Sequence, residues 1–275
     1  MYPFRRILIP TDFSTASQWA FDHAVRIAAA NDAEILILHI RMTWVSDPDA
    51  LRFPADPLLY EYAEKQELDV LRERVRAHGA KVPTRLIVKT APDPGPEICR
   101  TVSAEKVDLV VIATHARHHV AHLLIGSTTM SVISNPPVPT LAVRYGVKKR
   151  DRIQRIVVPV HLKQTSHAAL DLAMSIARRR GVELHLVTLC EDSERSAAQA
   201  LLENLTRSSE GVMIKTKILR GSDIEREIVR YAGKNDADVI FLNAEQQMGQ
   251  PKIEIIRHAA TPVMIVPAEK LKSEN

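Results

Sequence analysis

Aromatic side chains are scarce in this chain, at 4% of its 275 residues, so its core must be built mostly from Val, Ile, Leu and Ala. Such cores suit parallel strands buried under helices better than β-sandwiches. Cysteine is nearly missing as well. The two thiols, Cys99 and Cys190, are far apart and neither has a CxxC partner. That spacing excludes a zinc finger and points to reduced core thiols in a cytoplasmic protein. No apolar run approaches the ~20 residues of a membrane span. The N-terminal MYPFRRILIPTDFS has an apolar stretch too short for a secretory signal, ended by Pro10. Aromatic-flanked basic blocks are also lacking. The net charge of +4 arises from Lys and Arg interleaved with Asp and Glu, which argues against a nucleic-acid partner. The balance of 45% hydrophobic and 25% charged residues is that of a soluble globular protein, and the length suffices for two domains.

What the chain does have is an internal repeat. RILIPTDFS (6–14) is echoed by RIVVPVHLK (155–163), and EICRTVSAEKVDLVVIAT (97–114) by EIVRYAGKNDADVIFLNA (227–244). PPVPTLAV (136–143) is echoed by AATPVMIV (259–266). The three pairs occur in the same order, so the chain is two copies of one unit. The joint is the charged YGVKKRDR at 145–152, which gives expected domains of 1–147 and 148–275. Short runs of branched residues predict strands at 7–9, 35–40, 85–88, 109–112 and 140–143. The second copy repeats them at 156–158, 183–189, 213–219, 239–242 and 263–266. Helical periodicity fills 17–30, 59–78, 96–103 and about 127–134, with Asn31-Asp32 and His78-Gly79 as stops. Strands separated by helices imply right-handed crossovers and an open α/β sheet in each half.

In such sheets ligands sit beyond the carboxyl ends of the strands, where strand order reverses. The residues after the first, second and fourth strands are then candidates: Thr11-Asp12, Ile40-Arg41 and Ala113 onward. Asp12 could accept from an exocyclic amine or hydroxyl, or cap the next helix with Ser14, and the two roles can coexist. Pro10 is expected to fix the strand exit. IGSTT (125–129) opens the fourth helix. Gly126 lets backbone approach a ligand, the following amides point outward, and Ser127 and Thr128 add hydroxyls. The stretch reads either as a phosphate cradle or as an ordinary N-cap.

ATHARHHVAHLLIGST (113–128) also holds His115, His118, His119 and His122. Their offsets suit one helix face. However, 113–117 is expected to be extended and only about 118–125 helical, which takes His115 out of register. No carboxylate or cysteine lies nearby in sequence, so no metal ligand set is expected. His39 ends a predicted strand and reads as a satisfied core or rim histidine. MTWVSDPDALRFPADPLLYEY (42–62) has no counterpart in the second copy and reads equally as a lid or interaction segment and as a surface loop. A Walker loop, GxGxxG and a nucleophile elbow are lacking.

The order strand-Pro-x-Asp, strand-LHI, then small-x-x-small, nine residues, Gly-Ser resembles the universal stress protein family, over nearly the whole chain as two tandem copies. The family signature is Gly-x-x-Gly, nine residues, then Gly followed by Ser or Thr. Here Ala113 and Ala116 occupy the first two glycine positions, 117–125 supply the spacing, and Gly126-Ser127 complete it. PPVPTLAV resembles the family's last strand. The implied fold is α/β: two tandem open, mostly parallel five-stranded sheets flanked by helices, Rossmann-like and of the adenine-nucleotide alpha-hydrolase type. The last strands are expected to pair, making an intramolecular pseudo-dimer.

The resemblance also implies ATP or another adenine nucleotide in the first copy. Asp12 and the backbone at Ile40 then meet the adenine side, with Pro10 and Thr11 beside them. Ala113 and Ala116 lie along ribose and phosphates, and Gly126, Ser127 and Thr128 hold the phosphates. His115 stands where the family often has histidine, and Arg117 favours a triphosphate electrostatically. Ala116 is the serious departure. Where that residue needs a positive φ or backbone contact with phosphate, its methyl costs about 1 kcal/mol.

In the second copy His161 stands for Asp12, and Asn243 and Gln246 stand for Ala113 and Ala116. The loop AEQQMGQPK is shorter and Gly249 is followed by Gln250, so this half is expected to be structural. The expected function is a cytoplasmic nucleotide-binding stress or regulatory module with at most weak ATP hydrolysis. The alternative is a degenerate member that binds no nucleotide and acts as an interaction scaffold, as Ala116 suggests. A nucleotidyl transferase or ATP-pyrophosphatase would want His-x-Gly-His or Ser-Gly-Gly-x-Asp-Ser after the first strand, where this chain has PTDFST. The expected partners are an adenine nucleotide and proteins, with neither nucleic acid nor membrane; a further homodimer stays open.

Overall fold

The computed structural model describes residues 4–42, 57–77, 82–114, 125–147, 152–162, 166–220, 223–244 and 250–268. Strands and helices alternate through both halves. The first runs β1 (Arg6–Thr11), α1 (Thr15–Asn31), β2 (Glu34–Met42), α2 (Pro57–Ala77), β3 (Thr84–Ala91), α3 (Pro94–Ala104), β4 (Leu109–Ala113), α4 (Ser127–Ser134) and β5 (Thr140–Val143). The second runs β6 (Arg155–Pro159), α5 (Ala168–Arg180), β7 (Glu183–Leu189), α6 (Arg195–Arg207), β8 (Ile214–Leu219), α7 (Ile224–Lys234), β9 (Val239–Ala244), α8 (Gln250–His258) and β10 (Val263–Pro267). A 3₁₀ turn, Asp192–Glu194, precedes α6.

The expected strands all form. They pair in one ten-stranded sheet of order β3-β2-β1-β4-β5-β10-β9-β6-β7-β8. Each half is a parallel five-stranded sheet, and the halves join where β5 meets β10 antiparallel, Met264 opposite Leu141. The last strands of the two copies therefore pair as the resemblance implied. Side chains alternate between the two faces of a strand, and the apolar residues fall into one cluster on each face. One holds Ile7, Phe21, Ile35 and Leu141 with Leu172, Phe241 and Met264. The other holds Leu8, Ile98, Val110 and Ala142 with Ile240, Ile255 and Ile265. Both clusters cross the seam between the copies.

Polar contacts cross it too. The Arg180 guanidinium, at the end of α5, donates to the Ala30 carbonyl and, at 3.1 Å, to Asn31 Oδ1 at the end of α1. A cation there satisfies a late carbonyl and opposes the negative end of the helix dipole. Helix α1 stops at Asp32, which adopts φ 54° and donates its N–H to the Ala28 carbonyl. Trp19 Nε1 donates to the Val147 carbonyl at 2.9 Å and its ring meets Tyr145 edge-on, tying the segment after β5 back to α1.

Three expectations need correction. Pro10 lies inside β1, which continues to Thr11 with Pro10 opposite Leu38. Asp108 N–H donates to the Arg6 carbonyl, so the peptide groups of Arg6, Leu8 and Pro10 face β4 rather than β2. The missing N–H of proline is therefore harmless to the β2 ladder. Its effect falls on the other side, where the β1–β4 register ends at Leu8 opposite Val110. The second half repeats this: Asp238 N–H donates to the Arg155 carbonyl, placing Pro159 on the β9 side, and the β6–β9 register ends at Val157 opposite Ile240.

Likewise, β2 does not end at His39 or Ile40. Its pairing with β3 continues through Arg41 opposite Thr90 to Met42 opposite Ala91. In the 42–62 segment, residues from Pro57 onward are the first turns of α2, so that part is not a loop. Residues 43–56, and the expected helix stop at His78-Gly79, lie outside the described residues.

Helix α4 is set against α3 by Gly95. A Cβ at that position would meet Ser131 Oγ at 2.3 Å and Ser131 Cβ at 2.6 Å. Gly95→Ala is expected to destabilise the protein by about 1–3 kcal/mol in urea unfolding. Ser131→Gly in that background removes the obstructing atoms and should recover much of the loss, whereas Ser131→Ala leaves a Cβ in place and should not.

Candidate functional site

Strand order in the first half reverses between β1 and β4, and the early end of their ladder opens a crevice there. From β1, Pro10 is half-buried, Thr11 is buried and Asp12 is half-buried at the turn that follows. The turn is ordered by its own side chains. Asp12 Oδ1 accepts from Ser14 N–H at 3.0 Å, and Thr11 Oγ1 accepts from Phe13 N–H at 3.0 Å. Phe13 takes φ 59°, a left-handed conformation that these contacts hold in place. Ser14 caps α1 by accepting from Ser17 N–H. Asp12 thus shapes the turn ahead of the helix, while Ser14 is the cap itself.

From β2 comes Ile40. Glu34 N–H donates to the Arg5 carbonyl, so Ile40, at the same parity, turns its peptide groups toward β1. It stands one residue past the Thr11–His39 pair, where β1 has ended. From β4 comes Ala113, half-buried, whose carbonyl accepts from Thr129 Oγ1 at 2.6 Å. Gly126 N–H donates to the Thr114 carbonyl at 3.0 Å, so the chain leaving β4 and the chain entering α4 are pinned together.

Helix α4 begins with Gly126 as N-cap, at φ −61° and ψ 149°, with no side-chain cap hydrogen bond. The first intrahelical bond is Met130 N–H to the Gly126 carbonyl, which leaves the amides of Ser127, Thr128 and Thr129 ahead of it at the positive end of the helix. Ser127 is exposed and Thr128 half-buried. Of the expected site residues, Pro10, Thr11, Asp12, Ile40, Ala113, Gly126, Ser127 and Thr128 thus lie at one edge of the first half. His115, Ala116 and Arg117 lie outside the described residues, as do His118, His119 and His122. Among the described residues no group of three or more His, Cys, Asp or Glu is placed to hold a metal ion.

Sequence reasoning missed how the turn is held from below. His39 Nδ1 lies 3.0 Å from the Thr11 carbonyl, an acceptor only, so Nδ1 carries a proton. The His39 ring stacks at a tilt on Phe13, with centroids 4.6 Å apart. Its Nε2 is 3.5 Å from Glu64 Oε1 on α2. Arg41 grips the same carboxylate with Nε at 2.7 Å and Nη2 at 2.6 Å. Glu64 is buried, at 8% exposure, and the Arg41 guanidinium holds its carboxyl below the usual carboxylate range against the cost of burial. The histidine in LHI was visible in the sequence; its partner, from a helix 25 residues on, carried no signal.

The second half has the same crevice with a different filling. Asn243 stands opposite Val266 as Ala113 stands opposite Val143, and it is buried. Its Oδ1 accepts from Ala169 N–H at 2.7 Å and its Nδ2 donates to the Ser166 carbonyl at 2.9 Å. Helix α5, whose N-cap His167 makes no side-chain cap bond, is therefore capped from β9, across the gap.

Two measurements check these contacts. Glu64→Gln is expected to cost about 1 kcal/mol near neutral pH, limited because Arg41 is more than a third exposed. A carboxyl whose folded pKa is lowered contributes fully above its unfolded pKa, and the contribution is lost as pH falls through the folded value. The urea-unfolding gap between wild type and Glu64→Gln should therefore shrink as the pH is lowered below the ordinary carboxylate range. Asn243→Ala strands the Ala169 amide and should cost about 1–3 kcal/mol, with faster hydrogen exchange in the first turn of α5.

A family model described as the universal stress protein family matches residues 3–144 and again 152–267. A universal stress protein of Methanocaldococcus jannaschii is 28% identical over 147 residues, covering 51% of this chain and 82% of that protein. One from Thermus aquaticus is 31% identical over 144 residues, 51% of this chain and 99% of that protein. The crystal structure of a universal stress protein from Archaeoglobus fulgidus superposes with a TM-score of 0.76 at 21% identity, covering 96% of this chain and 97% of that one. No helix among the described residues is long and apolar enough to cross a membrane. Both halves match the same model, in the order and at the positions of the internal repeat, and the chain belongs to the universal stress protein family as a tandem of two of its domains.

Proposed function

We propose that the chain binds ATP or a related adenine nucleotide in its first half, 1–147, as a cytoplasmic stress-response or regulatory module, and that the second half, 148–275, is structural. The observation that carries this reading is the contrast between the two crevices. In the first, the end of β4 presents the methyl of Ala113, and α4 starts on a glycine with no side-chain cap. In the second, the Asn243 carboxamide fills the equivalent gap, and both its oxygen and its nitrogen bond the chain at the start of α5. The residues present fit a nucleotide: the first-turn amides of α4, with Ser127 and Thr128, suit phosphate oxygens, and Asp12 with the Ile40 peptide suits the base and sugar. A bound triphosphate supplies negative charge that the α4 dipole and Arg117 stabilise.

The scaffold alternative rests on a specific observation, the alanines at 113 and 116 where the family signature has glycine. One set of titrations separates the two. Wild type should bind ATP by calorimetry with a dissociation constant below about 1 mM. Gly126→Asp places a carboxylate where the phosphates belong, yet Asp is a favoured N-cap and φ −61° suits it, so the variant should fold at least as stably. Its affinity should fall at least about tenfold. Ala116→Gly should tighten binding about three- to tenfold. Absence of binding in wild type and in Ala116→Gly at millimolar ATP overturns the nucleotide reading and favours the scaffold.

A further inference from the structure

Away from the crevice, a concavity of about 340 Å³ opens at the free edge of the second half, where β8 ends between α6 and α7. Ile218 and Leu219 line its floor, and Arg195, Lys217, Arg220 and Arg230 surround it. Glu227 is the single carboxylate in the lining, and Arg230 cancels it at 2.7 Å. Arg195, Lys217 and Arg220 are exposed and have no ion-pair partner among the described residues. Arg195 is the first residue of α6, after the N-cap Glu194, which makes no side-chain cap bond. Three uncancelled cations thus converge on one hollow.

The internal repeat shows that the fold does not require them. Glu227 and Arg230 correspond to Glu97 and Arg100, and the N-cap Asp223 to Asp93. Counting back from those caps, Lys217, Leu219 and Arg220 stand where the first half has Ile87, Lys89 and Thr90. There Lys89 and Arg100 both bind Glu97, at 2.8 and 2.6 Å, and the equivalent strand end and helix start form without further charge. The second copy has lost that lysine and gained two cations around it. Like charges around one hollow repel, and an anion among them relieves that repulsion.

The charge is focal rather than strung along the edge strand. Lys215, two residues earlier on β8, is taken by Glu183 at 2.8 Å, so β8 does not offer the basic stripe an extended acidic peptide would follow. Guanidinium forks and a lysine around one hollow suit clustered phosphate oxygens, and the volume is that of a small-ligand site. We propose that this cleft binds a small molecule carrying a di- or triphosphate group, independently of the first-half crevice.

The test uses the full chain carrying Gly126→Asp, which silences the first-half crevice, with sodium tripolyphosphate as probe in low-salt calorimetry. Binding below about 1 mM is expected. It should weaken steeply with added salt and fall at least about tenfold when Lys217→Glu and Arg220→Glu are introduced. Lys217→Gln with Arg220→Gln gives the same loss without charge reversal, should the reversed variant fail to fold. No binding at low salt, binding unchanged in both double variants, or a hexaglutamate peptide binding as tightly as tripolyphosphate overturns the proposal. Because the first-half site is disabled throughout, failure here leaves the ATP reading standing, and failure of that reading leaves this one testable.

Discussion

The antiparallel pairing of β5 with β10 is the contact on which the rest of the architecture depends. Three residue pairs make it: Ala142 with Val263, Leu141 with Met264, and Thr140 with Ile265. All six are buried. Separated, β5 and β10 would each be an edge strand with apolar side chains on both faces and unpaired peptide groups, a surface prone to association. Joined, they place each half's core against the other's, and the apolar cluster on either face of the sheet runs unbroken through both copies. The Arg180 bond to the end of α1 lies on the same route.

Within each half, a single missing hydrogen-bond donor lies where the ladder ends at the point of strand reversal. Pro10 and Pro159 sit where their absent N–H would have continued the ladder toward β4 and β9. The two crevices are thus made by the same device and differ in what fills them. The alanine-ended strand of the first half leaves space that its helix α4 faces with backbone donors. The asparagine-ended strand of the second uses that space to hold α5.

Much of this was legible in the sequence because it is written in periodicity and repetition. The bounds of β5 and β7 match the expected runs at both ends, and β5 is closed by Pro139 and Arg144. Strands β1 and β2 extend beyond their runs for a reason that local composition does not hold. Pro10 reads as a stop, yet its ring occupies the side on which no donor is needed, and the charged end of β2 is kept in the ladder by β3. The candidate site was legible in part. Gly126, Ser127 and the end of β4 follow from a spacing rule, whereas Glu64 and Thr129 act on backbone and side chains remote in sequence. Asn243 was visible as a replacement for alanine; that it caps a helix across the gap is a fact of three dimensions.

The direction of the strands has a last consequence. Because β5 and β10 run antiparallel while neighbours within each half run parallel, all strands of the first copy point opposite to those of the second. The carboxyl edges of the two halves therefore look out from opposite sides of the molecule. Asp12 and Gly126 are on one, and Asn243 and Arg220 are on the other. The chain is therefore two-ended, with the carboxyl edge of one copy and that of the other separated by the full height of the sheet. A closed dimer of identical chains would present the same face twice; the tandem arrangement allows the two poles to diverge.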